Sequence, residues 1–96
     1  MYYVYILQST SDSERFYLGC TSDLKQRLRS HNQGENPATR GSQWKLVYYE
    51  AYTTLSAARK REYRLKHNGK AKASLLRRIQ DGLRATYVRG DGVPLA

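Results

Sequence analysis

Apolar and polar positions fall in alternating blocks along this chain, and each block predicts an element. Residues 2–7, Tyr2-Tyr3-Val4-Tyr5-Ile6-Leu7, are aromatic or aliphatic without a break, which predicts a strand apolar on both faces. Residues 9–15, Ser-Thr-Ser-Asp-Ser-Glu-Arg, are polar with turn chemistry and read as a loop. Residues 16–20, Phe16-Tyr17-Leu18-Gly19-Cys20, predict a second strand, so the pair predicts a hairpin with a longish loop. Thr21 or Ser22 then offers an N-cap, with Asp23 in the first turn, for a helix that runs to about Asn32 and stops near Gly34. Along that helix Leu24, Leu28 and His31 share one stripe, with Arg27 at its edge. Gly34, Pro37 and Gly41 make residues 33–43 a loop, and residues 44–52 predict a third strand. Thr53 or Thr54 can cap a second helix from Leu55 to about His67, and Asn68-Gly69 breaks it. Residues 71–79 predict a third helix with Leu75, Leu76 and Ile79 as its apolar face.

The order β-β-α-β-α-α excludes a doubly wound parallel sheet and predicts an α+β fold, a small three-stranded, largely antiparallel sheet flanked by helices. At 96 residues the chain is expected to form one domain over residues 1–80. Residues 81–96, with their glycines and Pro94, are expected to be a loosely held tail. No apolar run approaches the roughly 18–20 residues of a membrane span. Residues 1–7 lack the basic start and small-residue cleavage site of a signal peptide. Cys20 is the single cysteine, which leaves no internal disulfide and no Cys-rich zinc site. A reduced, cytoplasmic setting without membrane attachment is expected.

Charge changes the picture more than composition does. Seventeen Lys and Arg against eight Asp and Glu give +9. Residues 57–80 alone hold nine basic side chains and a single acid, Glu62. So concentrated a field attracts a polyanion, most commonly a nucleic-acid backbone, although a solvated basic helix is the plainer alternative. Lys25, Arg40, Arg59, Arg61, Lys66, Lys70, Lys72, Arg77 and Arg78 are the candidate nucleic-acid contacts.

Several residues break the local pattern. Glu62 shares a stripe of the second helix with Ala58 and Leu65, where a carboxylate either pairs with a base or holds a cation. An ion pair with Arg59, Arg61 or Lys66 is favoured by spacing alone. Arg27 and His31 are a second inward polar exception, which points to a shared site. Tyr2, Tyr3, Tyr48, Tyr49 and Tyr52 read as strand filling. Tyr5 and Tyr17 differ, because a register that pairs them sets two phenols side by side, with Gly19 leaving room above the sheet. No phosphate-binding glycine loop and no G-x-S-x-G elbow occurs.

Tyr3-Val4-Tyr5, followed after eleven residues by Tyr17-Leu18-Gly19, resembles the paired motif of the GIY-YIG nuclease superfamily. Residues 20–32, with Arg27 and His31, look like that family's first helix. Residues 44–50 and Arg61-Glu62-Tyr63-Arg64-Leu65-Lys66 resemble its third strand and the helix bearing its metal-binding glutamate. The resemblance spans about residues 1–79. It is greatest to the small single-domain bacterial members, which are similar to the nuclease domain of the excision-repair incision subunit and so suggest DNA repair. This chain has Tyr3 in place of the first motif's glycine, and Val4 and Leu18 in place of its isoleucines.

The resemblance implies a metal-dependent endonuclease with little sequence preference, acting on DNA, branched or damaged forms included, with RNA left open. It implies Tyr5, Tyr17, Arg27, His31 and Glu62 as catalytic residues. Glu62 would hold Mg²⁺ or another divalent cation such as Mn²⁺, and Arg27 would hold the phosphate oxygens. Tyr5 is expected to orient or deprotonate the attacking water, with Tyr17 beside it and His31 drawing off the phenolic proton. The alternative is a catalytically silent nucleic-acid-binding module on the same fold. A protein-interaction adaptor has little direct support.

Overall fold

The computed structural model describes residues 1–89. Its sheet has the order β2-β1-β3, built from β1 (Tyr2–Ser9), β2 (Phe16–Thr21) and β3 (Trp44–Tyr52), with both pairings antiparallel. Three helices, α1 (Leu24–Asn32), α2 (Leu55–His67) and α3 (Gly69–Arg89), complete the expected β-β-α-β-α-α order.

The unbroken apolar run of residues 2–7 takes the central position, paired along both edges and covered on both faces. On one face Val4 and Ile6 join Leu18, Ala58 and Leu65 of α2, and Leu75 and Ile79 of α3. On the other face Tyr5 and Leu7 pack with Trp44, and Leu24 and Leu28 of α1 lie against them.

The hairpin register differs from expectation by two residues. Tyr5 stands opposite Gly19, and Tyr17 stands opposite Leu7. The expected pairing would set Gln8 opposite Glu14, whereas Gln8 stands opposite Phe16 and the Ser9 N–H donates to the Arg15 carbonyl at 3.0 Å, which closes a loop two residues longer. A shift by two keeps each side chain on its face, so the two phenols remain neighbours. A bulge in β3 falls between the partners of Ile6 and Leu7.

The N-cap of α1 is Asp23, whose carboxylate accepts from the Gln26 N–H at 3.1 Å. Thr21 turns instead to the Asp23 N–H, at 3.1 Å. Gly34, at φ +76°, ends the helix in the left-handed conformation. Thr54 caps α2, as its spacing predicts.

Asn68 serves twice: its N–H caps the end of α2, and its side-chain oxygen accepts from the Ala71 N–H of α3 at 3.1 Å. The break at Asn68-Gly69 therefore redirects the chain into a helix that reaches Arg89, well past Ile79. Leu75, Ile79 and Leu83 recur at i, i+4 and continue the apolar stripe onto the core, which offsets the helix-breaking tendency of Gly82. Of the expected tail, residues 81–89 thus belong to α3, and residues 90–96 lie outside the described residues. No described helix is long and apolar enough to cross a membrane.

A polar clamp joins β3 to α2. The Glu50 carboxylate accepts from Tyr48 Oη and Tyr52 Oη, both at 2.5 Å, and from Arg61 Nε and Nη2 at 2.9 and 3.0 Å. Burial works against the charged carboxylate, but the bonds from Arg61, Tyr48 and Tyr52 outweigh it and hold Glu50 at about 2. Arg61, one of the expected nucleic-acid contacts, is thus also a structural tie between β3 and α2.

Candidate active site

On the α1 face of the sheet three rings converge. Tyr17 and His31 have ring centroids 4.8 Å apart, with Tyr5 at 6.0 Å from His31 and 6.4 Å from Tyr17. Tyr5 is 3 % exposed and His31 1 %, so both are enclosed by the packing of α1 on the sheet. Their polar atoms are satisfied in a line. Thr39 Oγ1 donates to the Asn36 carbonyl at 3.3 Å, so its oxygen is left to accept from His31 Nδ1 at 2.8 Å. With Nδ1 protonated, the neutral imidazole presents a lone pair at Nε2, and the Tyr5 hydroxyl donates into it at 2.8 Å. Thr39, fully buried, thereby sets the tautomer of a histidine that it meets from a loop.

Electrostatics keeps this pair neutral. Burial, with Tyr17 next, pushes the Tyr5 phenol well above its ordinary value, against a lowering pull from Arg27. Burial and then Arg27 push His31 below its ordinary value. Both shifts favour the neutral phenol and the neutral imidazole.

Gly19 explains how the phenol reaches its place. A Cβ at this position would meet Tyr5 Oη at 2.4 Å and Cζ at 2.6 Å. The room expected above Gly19 is therefore filled by the Tyr5 ring, which crosses the strand over the glycine to reach α1. Tyr17 is the more open of the two phenols, and Asn36 Nδ2 donates to its oxygen at 3.2 Å.

Arg27 and Glu62 come from helices on opposite faces and meet around the edge formed by the end of β2. They line one open cavity of about 400 Å³ with Tyr2, Cys20, Thr21, Ser22, Leu55 and Arg59. Arg27 Nε is buried and has no hydrogen-bond partner among the described residues. An unpartnered guanidinium nitrogen in such a place is suited to an oxyanion. The Glu62 side chain is 22 % exposed and pairs with Lys66 Nζ at 3.2 Å, the i, i+4 pair that spacing favours.

The described residues contain no group of three or more His, Cys, Asp or Glu able to hold a metal. Among the described residues, Glu62 is the only carboxylate lining this cavity. One carboxylate in an open polar cavity does not fit zinc, but it fits a hard cation that keeps its waters and takes phosphate oxygens.

Five sequence candidates thus fall into two connected groups: Tyr5, Tyr17 and His31 beneath, and Arg27 and Glu62 at the cavity. Arg27 acts electrostatically on both Tyr5 and His31, and Glu62 acts on Tyr5. Of the basic candidates, Arg59 lines the cavity and Lys66 pairs with Glu62. Lys25, Lys70, Lys72, Arg77 and Arg78 are exposed, and Arg40 donates from Nε to the Gly34 carbonyl at 2.9 Å. Thr39 and Asn36 went unpredicted, because loop residues brought in by tertiary packing leave no periodic signal.

The family model for the GIY-YIG catalytic domain matches residues 1–84. A UPF0213 protein of Haloquadratum walsbyi is 42 % identical over 67 residues, covering 68 % of this chain and 73 % of the relative. One of Clostridium perfringens is 41 % identical over 68 residues, with 69 % and 71 % covered. One of Staphylococcus epidermidis is 34 % identical over 88 residues, with 84 % and 96 % covered. No solved structure matches the chain.

Proposed function

Because this chain belongs to the GIY-YIG catalytic-domain family, a family of nucleases, we propose that it is a divalent-metal-dependent endonuclease hydrolysing DNA phosphodiester bonds with little sequence preference. The observation that carries the proposal is the open cavity lined by both Arg27, whose buried Nε has no partner among the described residues, and Glu62.

Arg27 binds the non-bridging oxygens of the scissile phosphate and offsets the charge that grows on them as water attacks. Glu62 would hold Mg²⁺ or Mn²⁺ in place of its pairing with Lys66. The cation, when bound, supplies charge stabilisation at the phosphate and at the departing 3′ oxygen. Tyr17 orients the attacking water, because its hydroxyl is partly open while that of Tyr5 is enclosed. Tyr5, His31 and Thr39 form the buried support that fixes the floor on which Tyr17 rests. Arg59 and the exposed lysines and arginines of α3 grip phosphates without reading bases, which suits a cytoplasmic enzyme acting on branched or damaged DNA in repair.

A second function is favoured by one observation. The Lys66 ammonium already neutralises Glu62, as it would in a silent nucleic-acid-binding module. Incubation with supercoiled, nicked and branched DNA in Mg²⁺ separates the two. Cutting is expected, together with its loss in EDTA, in Glu62→Gln, and by about 10²–10³-fold in Arg27→Ala with DNA affinity little changed. Cutting that survives Glu62→Gln would refute the assignment of the metal ligand. Salt-sensitive binding with no cutting under any divalent cation would establish the silent module.

A further inference from the structure

The outward face of α2 carries a feature that the cavity chemistry does not use. Lys60, Tyr63, Arg64 and His67 recur at i, i+3, i+4 and i+7, on the side of the helix away from the buried Ala58 and Leu65. Tyr63 is 66 % exposed, the most open of the large apolar side chains among the described residues. Its ring lies against the His67 imidazole, with centroids 4.1 Å apart and 32° between planes. That contact braces the phenol, while most of its surface stays open to solvent. A groove of about 620 Å³ runs beside it, lined by Lys60, Arg61, Tyr63, Arg64, His67 and Asn68. Arg61 is held by Glu50, but no acidic side chain of the described residues pairs with Lys60 or Arg64.

A braced aromatic face between two uncompensated cations matches one ligand chemistry, a nucleobase with its phosphates. Any base has a π-face that stacks on a side-chain ring, and flanking lysine and arginine track the backbone. In a duplex those faces are covered by neighbouring bases, so only an unpaired or terminal nucleotide can use the ring. We propose that this stripe of α2 is a stacking platform for unpaired nucleotides, with Lys60 and Arg64 holding the adjoining phosphates. Resting on the nuclease function proposed above, it narrows the substrate class to DNA with a single-stranded or extrahelical segment beside the bond that is cut. Tyr63 directly follows Glu62 on the same helix, so platform and cavity belong to one rigid element.

Fluorescence anisotropy with a labelled oligo-dT strand and a blunt duplex of equal length, at one fixed salt concentration, tests the platform. Tyr63→Ala is expected to weaken binding of the single strand about tenfold or more and to leave the duplex within about twofold. Tyr63→Phe keeps the ring and is expected to bind like the parent. Equal loss on both ligands, or a Tyr63→Phe variant as weak as Tyr63→Ala, would overturn the platform, because the hydroxyl would then be a plain phosphate contact. Binding of neither ligand by the parent protein would instead overturn the nucleic-acid function itself. Since Tyr63 is exposed, unchanged thermal unfolding of both variants is expected, and a lowered midpoint would assign the ring to the fold rather than to a ligand.

Discussion

Replacing Gly19 by alanine tests the innermost part of the site with a single methyl group. The new Cβ would lie 2.4 Å from Tyr5 Oη, 2.6 Å from Cζ and 2.9 Å from Cε1. All three belong to one rigid ring, so no rotation of a flexible tip relieves them, and the whole phenol must leave. Overpacking of this kind costs about 1–3 kcal/mol. The departing hydroxyl also strands the buried His31 Nε2, which costs about 1–3 kcal/mol more. A loss of about 3 kcal/mol lowers the midpoint of a domain this size by about 12–24 °C. Thermal unfolding followed by circular dichroism reads this directly, and DNA nicking by the folded variant at low temperature should be lost as well. The decisive control is the same substitution in a Tyr5→Ala background. There the space is open, and alanine in a strand should be neutral or stabilising by about 0.5–1 kcal/mol. A midpoint within about 3 °C of the parent, or equal costs in both backgrounds, would show that the ring does not lie over the glycine.

Three further outcomes follow from the hydrogen-bond networks. Thr39→Val keeps the shape but leaves His31 Nδ1 without its acceptor, so a loss of about 1–3 kcal/mol is expected in denaturant titration, with recovery in Thr39→Ser. Because His31 is held below its ordinary value of 6.5, its share of stability is complete above that pH and declines as pH falls further, which a pH series of unfolding midpoints checks. Glu50 titrates near 2 in the fold against 4.5 as an ordinary carboxylate, so its contribution, of order 3 kcal/mol, is complete above about 4.5 and is lost as pH falls through about 2. Glu50→Gln should lower stability at neutral pH and flatten the decline over that acid window.

The parts of the fold legible in the sequence are those set by local chemistry and period. Val4 with Ile6 and Tyr5 with Leu7 announce a strand covered on both sides, and the sheet places it in the centre. The helical spacing of Leu24, Leu28 and His31 marks the inward face of α1, and the buried His31 lies on it. What escaped depended on contacts between elements. Asp23 displaced Thr21 and Ser22 as the cap, because Thr21 stays in β2 and bonds to the Asp23 N–H. The end of α3 was missed because Gly82 suggested a stop, while Leu83 carries the apolar stripe onward. The ion pair of Arg61 with Glu50 could not be read from spacing, because only the docking of α2 against β3 brings the two together. Thr39, which orients the histidine, gives no periodic sign in its loop.

The guanidinium and the carboxylate at the cavity ride on separate apolar layers, one beneath α1 and one beneath α2 and α3, with only the sheet between them. Their spacing is therefore a sum of two independent thicknesses. A bulkier residue at Leu65 would lift one jaw, a smaller one at Leu28 would lower the other, and a paired change could restore the gap. Core positions that do not line the pocket would thus act as set-screws on its width.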